Sequence, residues 1–252
     1  MDNIVEFKVT GKYALFTDPL TKVGGEKYSY QIPTYEALKG ILSSVYWKPT
    51  IVWIIDKVRV MKPITTQTRS AKPLNYGGIY PSARNLAKKE EPFNSLSIYT
   101  YLSDVEYQVQ AHFEWNSQRE DLVKDRNENK HYFIAKRMIE RGGRRDVFLG
   151  ARECQGYVEP CGFGQGEGFY DNYPGEISFG LMFHGFDYPD ELGKNEFHAR
   201  FWQPKMFKGV VEFVRPEKCV TRKFVRQMKA SPPTSIGFME EGLLEGYEEG
   251  SV

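Results

Sequence analysis

From Leu96 to Trp115 the chain alternates apolar and polar residues, with Tyr99, Tyr101, Val105, Tyr107 and Val109 all on one side of an extended backbone. A period of two over that length demands a β-sheet with one buried face, built as one long strand or as a hairpin bent near Ser103-Asp104. Residues 3–9 alternate in the same way, YALFT extends them, and the β-branched run Ile51 to Val60 reads as another strand. Helical spacing appears twice. Thr34 is a candidate N-cap, with Glu36 in the first turn and Ala37, Leu38, Ile41, Leu42 and Val45 on one face, and the helix should stop before Pro49. Residues 127–141 form the second, capped by Asn127 or Asn129, with Arg137 and Arg141 in the last turn and Gly142 just beyond. Short strands follow at Val147 to Leu149 and Cys154 to Val158. The order strand, helix, strand, strand, helix, strand is the ferredoxin-like, RRM-like βαββαβ arrangement, an α+β fold with one sheet face covered by helices.

The chain of 252 residues divides on this reading into a ferredoxin-like domain, 1–160, a smaller β-rich C-terminal domain, 161–229, and an acidic tail, 230–252, expected to be disordered. In the β-rich part Ile177–Phe183, Phe197–Phe201 and Gly209–Val214 are the strand candidates. Residues 64–94 have no apolar period and read as a long loop insertion. No run approaches the roughly 18 apolar residues of a membrane span. The N-terminus lacks a basic stretch followed by an apolar one, so it does not read as a secretory signal. Cys154, Cys161 and Cys219 form no CxxC pair, which favours a reducing, cytoplasmic setting over a disulfide framework or a zinc site.

A formal net charge of +1 argues against a nucleic-acid partner only until it is divided. The tail holds five acids and no base, so residues 1–229 carry 34 bases against 28 acids. Residues 119–152 hold ten bases and six acids, 153–199 one base and nine acids, and 200–229 nine bases and two acids. Two basic blocks flank an acidic one.

The first basic block holds Arg126, Lys130, His131, Lys136, Arg137, Arg141, Arg144 and Arg145. Guanidinium forks suit phosphate, although the same run also fits a solvated helix face with i,i+4 pairs. An RRM's RNP1 pattern is absent, so recognition by stacked sheet aromatics is not supported. Lys130-His131 has the components of RNA cleavage by 2′-OH attack: an imidazole for proton transfer and an ammonium for the charge that grows on phosphorus. A tyrosine hydroxyl would orient or activate the nucleophile. The alternative is that His131 packs or caps at the helix start. Tyr46-Trp47 ends the first helix, Trp47 read as a core anchor and Tyr46 as a hydroxyl at the sheet rim. The run CGFGQGEGF leads into DNYPGE and not into a helix, so it is a flexible loop or hairpin tip and not a dinucleotide fingerprint. His112, His184 and His198 have no comparable basic neighbour in sequence, and acidic clusters such as Asp187, Asp190 and Glu191 read as solvated loop charge. No cofactor or metal ligand set is expected.

The stretches YALFTDPLTKVGGEKYSYQIPTYEALKGILSSVYWKPT, VEYQVQAHFEW and DRNENKHYFIAKRMIERGGRRDVFLGARECQGYVEP resemble, in order, the CRISPR-associated Cas-five family of the RAMP superfamily in its subtype I-C (Dvulg) form. The resemblance spans about residues 5–215. It implies a subunit that grips the 5′ handle of the CRISPR RNA within a type I-C effector (Cascade) complex alongside backbone and large subunits, and that meets target DNA only through that complex. It further implies metal-independent cleavage of the precursor RNA within the repeat, leaving a 2′,3′-cyclic phosphate and a 5′-hydroxyl. The family's catalytic tyrosine aligns with Tyr46 and its Lys-His pair with Lys130-His131. The Gly-rich loop of the superfamily aligns with Gly142-Gly143-Arg144-Arg145. Arg126, Lys136, Arg137, Arg141, Gly142, Gly143, Arg144 and Arg145 are then the candidate RNA-binding residues, with His131 the leading acid/base group. Lys130 is the electrostatic stabiliser. A non-catalytic handle-binding subunit is the alternative.

Overall fold

The long alternating stretch is a single strand, β5 (Ser97–Trp115), and most of the molecule pairs with it. The computed structural model describes residues 3–18, 26–71 and 96–230. On one flank of β5 lies β1 (Val5–Ala14), antiparallel from Val5 opposite Ala111 to Ala14 opposite Leu102. On the other lies β3 (Ile51–Val60), antiparallel from Ile51 opposite Trp115 to Val60 opposite Tyr107. The first half of β5 also pairs with the two-residue β2 (Lys27–Tyr28), in parallel, and with β4 (Thr66–Ala71). Asp104, with φ 52°, marks the bend and ion-pairs with Lys62 at 2.8 Å.

The two long helices are α1 (Tyr35–Val45) and α2 (Glu128–Glu140). The Thr34 hydroxyl accepts the Ala37 amide at 3.1 Å to start α1. Leu38, Ile41, Leu42 and Val45 face inward, onto the side of the sheet that carries Phe7, Val9, Val58, Val109 and Ala111. After α2 come β6 (Val147–Phe148) and β7 (Gln155–Pro160), and β7 pairs antiparallel with β1. The order β7–β1–β5–β3 is that of the ferredoxin-like sheet, α1 and α2 being its two crossovers.

The C-terminal region splits in two. β8 (Glu176–Ser178), β11 (Lys205–Phe207) and β12 (Val210–Glu212) extend the main sheet beyond β3. β9 (Met182–Asp187), β10 (Glu196–Trp202) and β13 (Thr221–Gln227) form a separate antiparallel sheet. Glu36 of α1 holds that sheet: its carboxylate accepts the Phe186 amide at 3.1 Å and the Tyr188 hydroxyl at 3.0 Å. Met182, Trp202 and Phe213 join the same apolar cluster as α1 and β5, so one core serves both parts.

Several expectations change. The strand candidate Ile177–Phe183 breaks at Gly180 (φ 69°) into β8 and β9, which lie in different sheets. Asp187 is not solvated loop charge: it is buried in β9 and paired with Arg200 and, at 3.2 Å, with Arg222. Residues 66–71 are a strand and not the start of a loop; their side chains are nearly all exposed, so backbone pairing with β5 forms β4 without an apolar period to announce it. Residues 72–94 of the expected loop and the tail from residue 231 lie outside the described residues. The glycine-rich run is pinned rather than free. Arg59, 6% exposed, donates to Gly166 O at 3.0 Å and Asp171 Oδ2 at 2.6 Å. Gln108 accepts from the Gly164 amide at 2.9 Å. The hydrogen bond to Arg59 holds the Asp171 carboxyl below its ordinary value.

Candidate active site

The site forms where the end of α1 meets the start of α2. α1 stops at Tyr46, whose backbone turns extended (φ −157°, ψ 126°) while its amide still donates to Leu42 O at 2.8 Å. α2 starts at Asn127, whose side chain accepts the Lys130 amide at 3.1 Å. Helical side chains lean toward the N-terminus, so Lys130 and His131 in the first turn reach back over the segment before the cap. There they meet Asp125.

His131 is fully buried (0% exposed), its ring edge-on to Phe113 and Trp115. Its Nε2 lies 2.8 Å from the Asp125 backbone carbonyl. A carbonyl only accepts, so Nε2 carries the hydrogen, and in the neutral ring Nδ1 is the bare nitrogen. Nδ1 sits 2.7 Å from the Tyr46 hydroxyl, which therefore donates to it. The Asp125 carboxylate accepts from Lys130 Nζ and, at 2.7 Å, from the Thr50 hydroxyl, and lies 3.4 Å from His131 Nε2. Burial works to raise the Asp125 pKa, but the hydrogen bonds from Lys130 and Thr50 and the nearby His131 outweigh it and hold the carboxyl below its ordinary value. The Tyr46 phenol is pushed up to about 12, by burial first and then by the Asp125 carboxylate, with Arg144 opposing.

Tyr46, Lys130 and His131 are thus brought together. Tyr46 is 3% exposed, and the Lys130 side chain, at 47%, is the most accessible of the three. Gly142 (φ 81°) and Gly143 (φ 112°) close α2 with amides donating to Ile139 O at 3.0 Å and Met138 O at 2.8 Å, a left-handed cap that favours glycine. The Arg145 amide donates to Ser44 O at 3.1 Å, which docks this turn on the last turn of α1 and brings Arg144 close enough to act on Tyr46. Lys136, Arg137, Arg141, Arg144 and Arg145 are exposed. Arg126 differs: its guanidinium donates to the carbonyls of Asn116, at 3.0 Å, and Arg119, at 3.4 Å, and so braces the segment before α2.

Trp47 is not a core anchor. It is 50% exposed, because the extended Tyr46 turns successive side chains to opposite sides and the core takes Tyr46. Asp125 and Thr50 are the site residues that sequence reasoning missed; the one available signal for Asp125 was a carboxylate five positions before Lys130. Among the described residues no group of three or more His, Cys, Asp or Glu side chains is placed to hold a metal ion, and no helix is long and apolar enough to cross a membrane.

A ferredoxin-like sheet with a glycine-arginine turn after its second helix is the RAMP type of fold. Residues 4–214 match the family described as CRISPR-associated protein (Cas_Cas5), and the chain belongs to that family. It is similar to the CRISPR pre-crRNA endoribonuclease Cas5d of Mannheimia succiniciproducens, 32% identical over 151 residues, or 56% of this chain and 65% of the relative. The protein of the same name from Thermus thermophilus is 27% identical over 157 residues, 62% of this chain and 63% of the relative. Each match thus spans just under two thirds of the curated relative. Two crystal structures are 34% identical and cover 88% of this chain and 97% of their own: a CRISPR-associated protein, TM-score 0.69, and a functionally uncharacterized protein from Streptococcus mutans, TM-score 0.68.

Proposed function

We propose that this chain is an endoribonuclease that cuts precursor CRISPR RNA within the repeat, in the cytoplasm, and stays on the 5′ handle as a subunit of a type I-C effector complex. The observation that carries the reading is the 2.7 Å hydrogen bond from the Tyr46 hydroxyl to His131 Nδ1, beside Lys130 and Arg144. The high phenol pKa keeps Tyr46 protonated at neutral pH, so it acts as a relay and not as a standing phenolate. The 2′-OH gives its proton to the Tyr46 oxygen while the tyrosine's own proton passes to His131 Nδ1. The resulting imidazolium is stabilised by Asp125 through its carbonyl and carboxylate. The 2′-oxygen attacks the adjacent phosphorus, Lys130 and Arg144 offset the charge growing there, and the 5′-oxygen leaves with a proton from the Lys130 ammonium. The products are a 2′,3′-cyclic phosphate and a 5′-hydroxyl, with no metal in the sequence of steps. Lys136, Arg137, Arg141 and Arg145 supply backbone contacts, and target DNA is met only through the assembled complex.

The burial of His131 favours a second reading, in which the same basic surface grips the handle and another protein cuts. Incubation with repeat hairpin RNA in excess chelator separates the two. The cleaving reading expects a product ending in a cyclic phosphate, abolished by a single 2′-deoxy nucleotide at the cut with binding retained. Bound, uncut RNA establishes the second reading, and cleavage that requires Mg²⁺ or survives the 2′-deoxy substitution overturns the mechanism.

A further inference from the structure

Of the four tryptophans, three are engaged in the core. Trp53 is 1% exposed and donates its indole N–H to the Tyr46 carbonyl at 2.8 Å. Trp115 packs on Phe113 and His131, and Trp202 stacks on Phe213 with ring centroids 5.0 Å apart. Trp47 is half exposed and has no aromatic, cationic or hydrogen-bond partner among the described residues. The backbone that carries it is nevertheless anchored: the Tyr46 amide donates to Leu42 O at 2.8 Å and the Tyr46 carbonyl accepts from the Trp53 indole at 2.8 Å.

Trp47 forms one wall of an open cleft of about 470 Å³ between α1, the segment after β5 and the turn at Tyr188. The cations there already have partners: Lys39 is 2.6 Å from Glu191 and Arg119 is 2.7 Å from Asp121. The lining also carries the carboxylates of Glu36, Asp190 and Glu191, so the cleft has no spare positive charge for a phosphate, in contrast to the exposed arginines of the turn after α2. A flat apolar ring beside satisfied polar groups suits a neutral planar ligand.

We propose that Trp47 is the stacking platform for one unpaired nucleobase of the RNA substrate, next to the phosphodiester that Tyr46 addresses. The proposal rests on the endoribonuclease reading and deepens it. The strand would run with its phosphates along Arg144 and Arg145 and one base turned onto the indole. Stacking of this kind tolerates any base, so Trp47 sets the register of the strand and not its sequence. Trp47 is a positioning residue, because it holds substrate without entering the proton transfers.

The test uses the full chain and repeat hairpin RNA in excess chelator, under single-turnover conditions, with a series of RNAs carrying one abasic nucleotide at each unpaired position near the cut. Trp47→Ala is expected to raise the half-saturating concentration roughly ten- to hundredfold while the maximal rate changes only a few-fold. Trp47→Phe should recover most of the loss. One abasic position should reproduce the defect in the wild type and add nothing to it in Trp47→Ala. If Trp47→Ala binds and cuts as the wild type does, or if every abasic effect multiplies with that of Trp47→Ala, the proposal is overturned. Should Trp47→Ala fail to fold, the wild type alone decides against it when no abasic position matters. If the wild type binds the unmodified RNA without cutting it, the endoribonuclease reading fails. The same variants and abasic series then read Trp47 through binding alone.

Discussion

Asp125→Asn isolates the carboxylate on which the site is centred. The asparagine keeps the shape and one oxygen that accepts from Thr50, 2.7 Å away, and it removes the charge facing Lys130 and His131. The Lys130 pair, half exposed, is worth at most about 1 kcal/mol. Loss of charge in the Thr50 bond adds a similar amount, so the stability loss should be about 1–2 kcal/mol. The effect on the reaction is larger. A unit charge 3.4 Å from the imidazolium is worth about 5 kcal/mol at an effective dielectric constant of about 20, an upper bound because the proton is only partly transferred in the transition state. The expected result is a roughly hundredfold fall in the single-turnover rate, with RNA affinity within about threefold of the wild type. Urea denaturation measures the first quantity, and quenched cleavage with binding by fluorescence anisotropy measures the others. A wild-type rate in Asp125→Asn would refute the transfer of a proton to His131.

His184 is buried, stacks on Tyr35 at 4.3 Å, and has its pKa pushed down to about 3 by burial and then by Arg200. In the unfolded chain it takes up a proton below about pH 6.5, which the folded form does not, so stability should fall by up to about 1.4 kcal/mol per pH unit from pH 6.5 toward 3. In His184→Gln that component of the slope should be absent when urea midpoints at pH 7 and 4 are compared. Arg59→Ala should cost about 2 kcal/mol and make residues 161–175 sensitive to limited proteolysis, because Asp171 and the Gly166 carbonyl lose their shared partner. Arg144→Ala should reduce the slope of log affinity against log salt by about 0.7, as expected for one lost phosphate contact on a single strand, and an unchanged slope would remove Arg144 from the RNA path.

Much of this architecture can be read directly from the chain. β5, α1 and α2 are long enough for their periods to stand out, and the Thr34 and Asn127 caps and the Gly142-Gly143 stop fix the helix ends. β4 and β13 escape notice because their side chains are exposed and so carry no alternation. The glycine run looks mobile because its anchors, Arg59 and Gln108, are supplied by β3 and β5, far away in sequence. The site was legible in its residue types and through a family resemblance, but not in its wiring. Tyr46 and His131 lie 85 residues apart, and Thr50 and Asp125 lie 75 apart. No local pattern reveals that Asp125 joins Thr50 to the Lys-His pair, or that His131 is sealed behind Tyr46. An apolar side chain at a helix end usually goes to the core, so the sequence points Trp47 there; the extended conformation of Tyr46 decides which of the two aromatics does.

Tyr46→Phe tests the central claim most directly, since it removes only the hydroxyl and leaves the ring in the core. Measured at saturating enzyme in excess chelator, the single-turnover rate on repeat RNA should drop roughly a thousandfold or more with the binding constant within about threefold, as expected when the group that passes the proton is deleted. Cleavage within tenfold of the wild-type rate would contradict the relay from the 2′-OH through Tyr46 to His131.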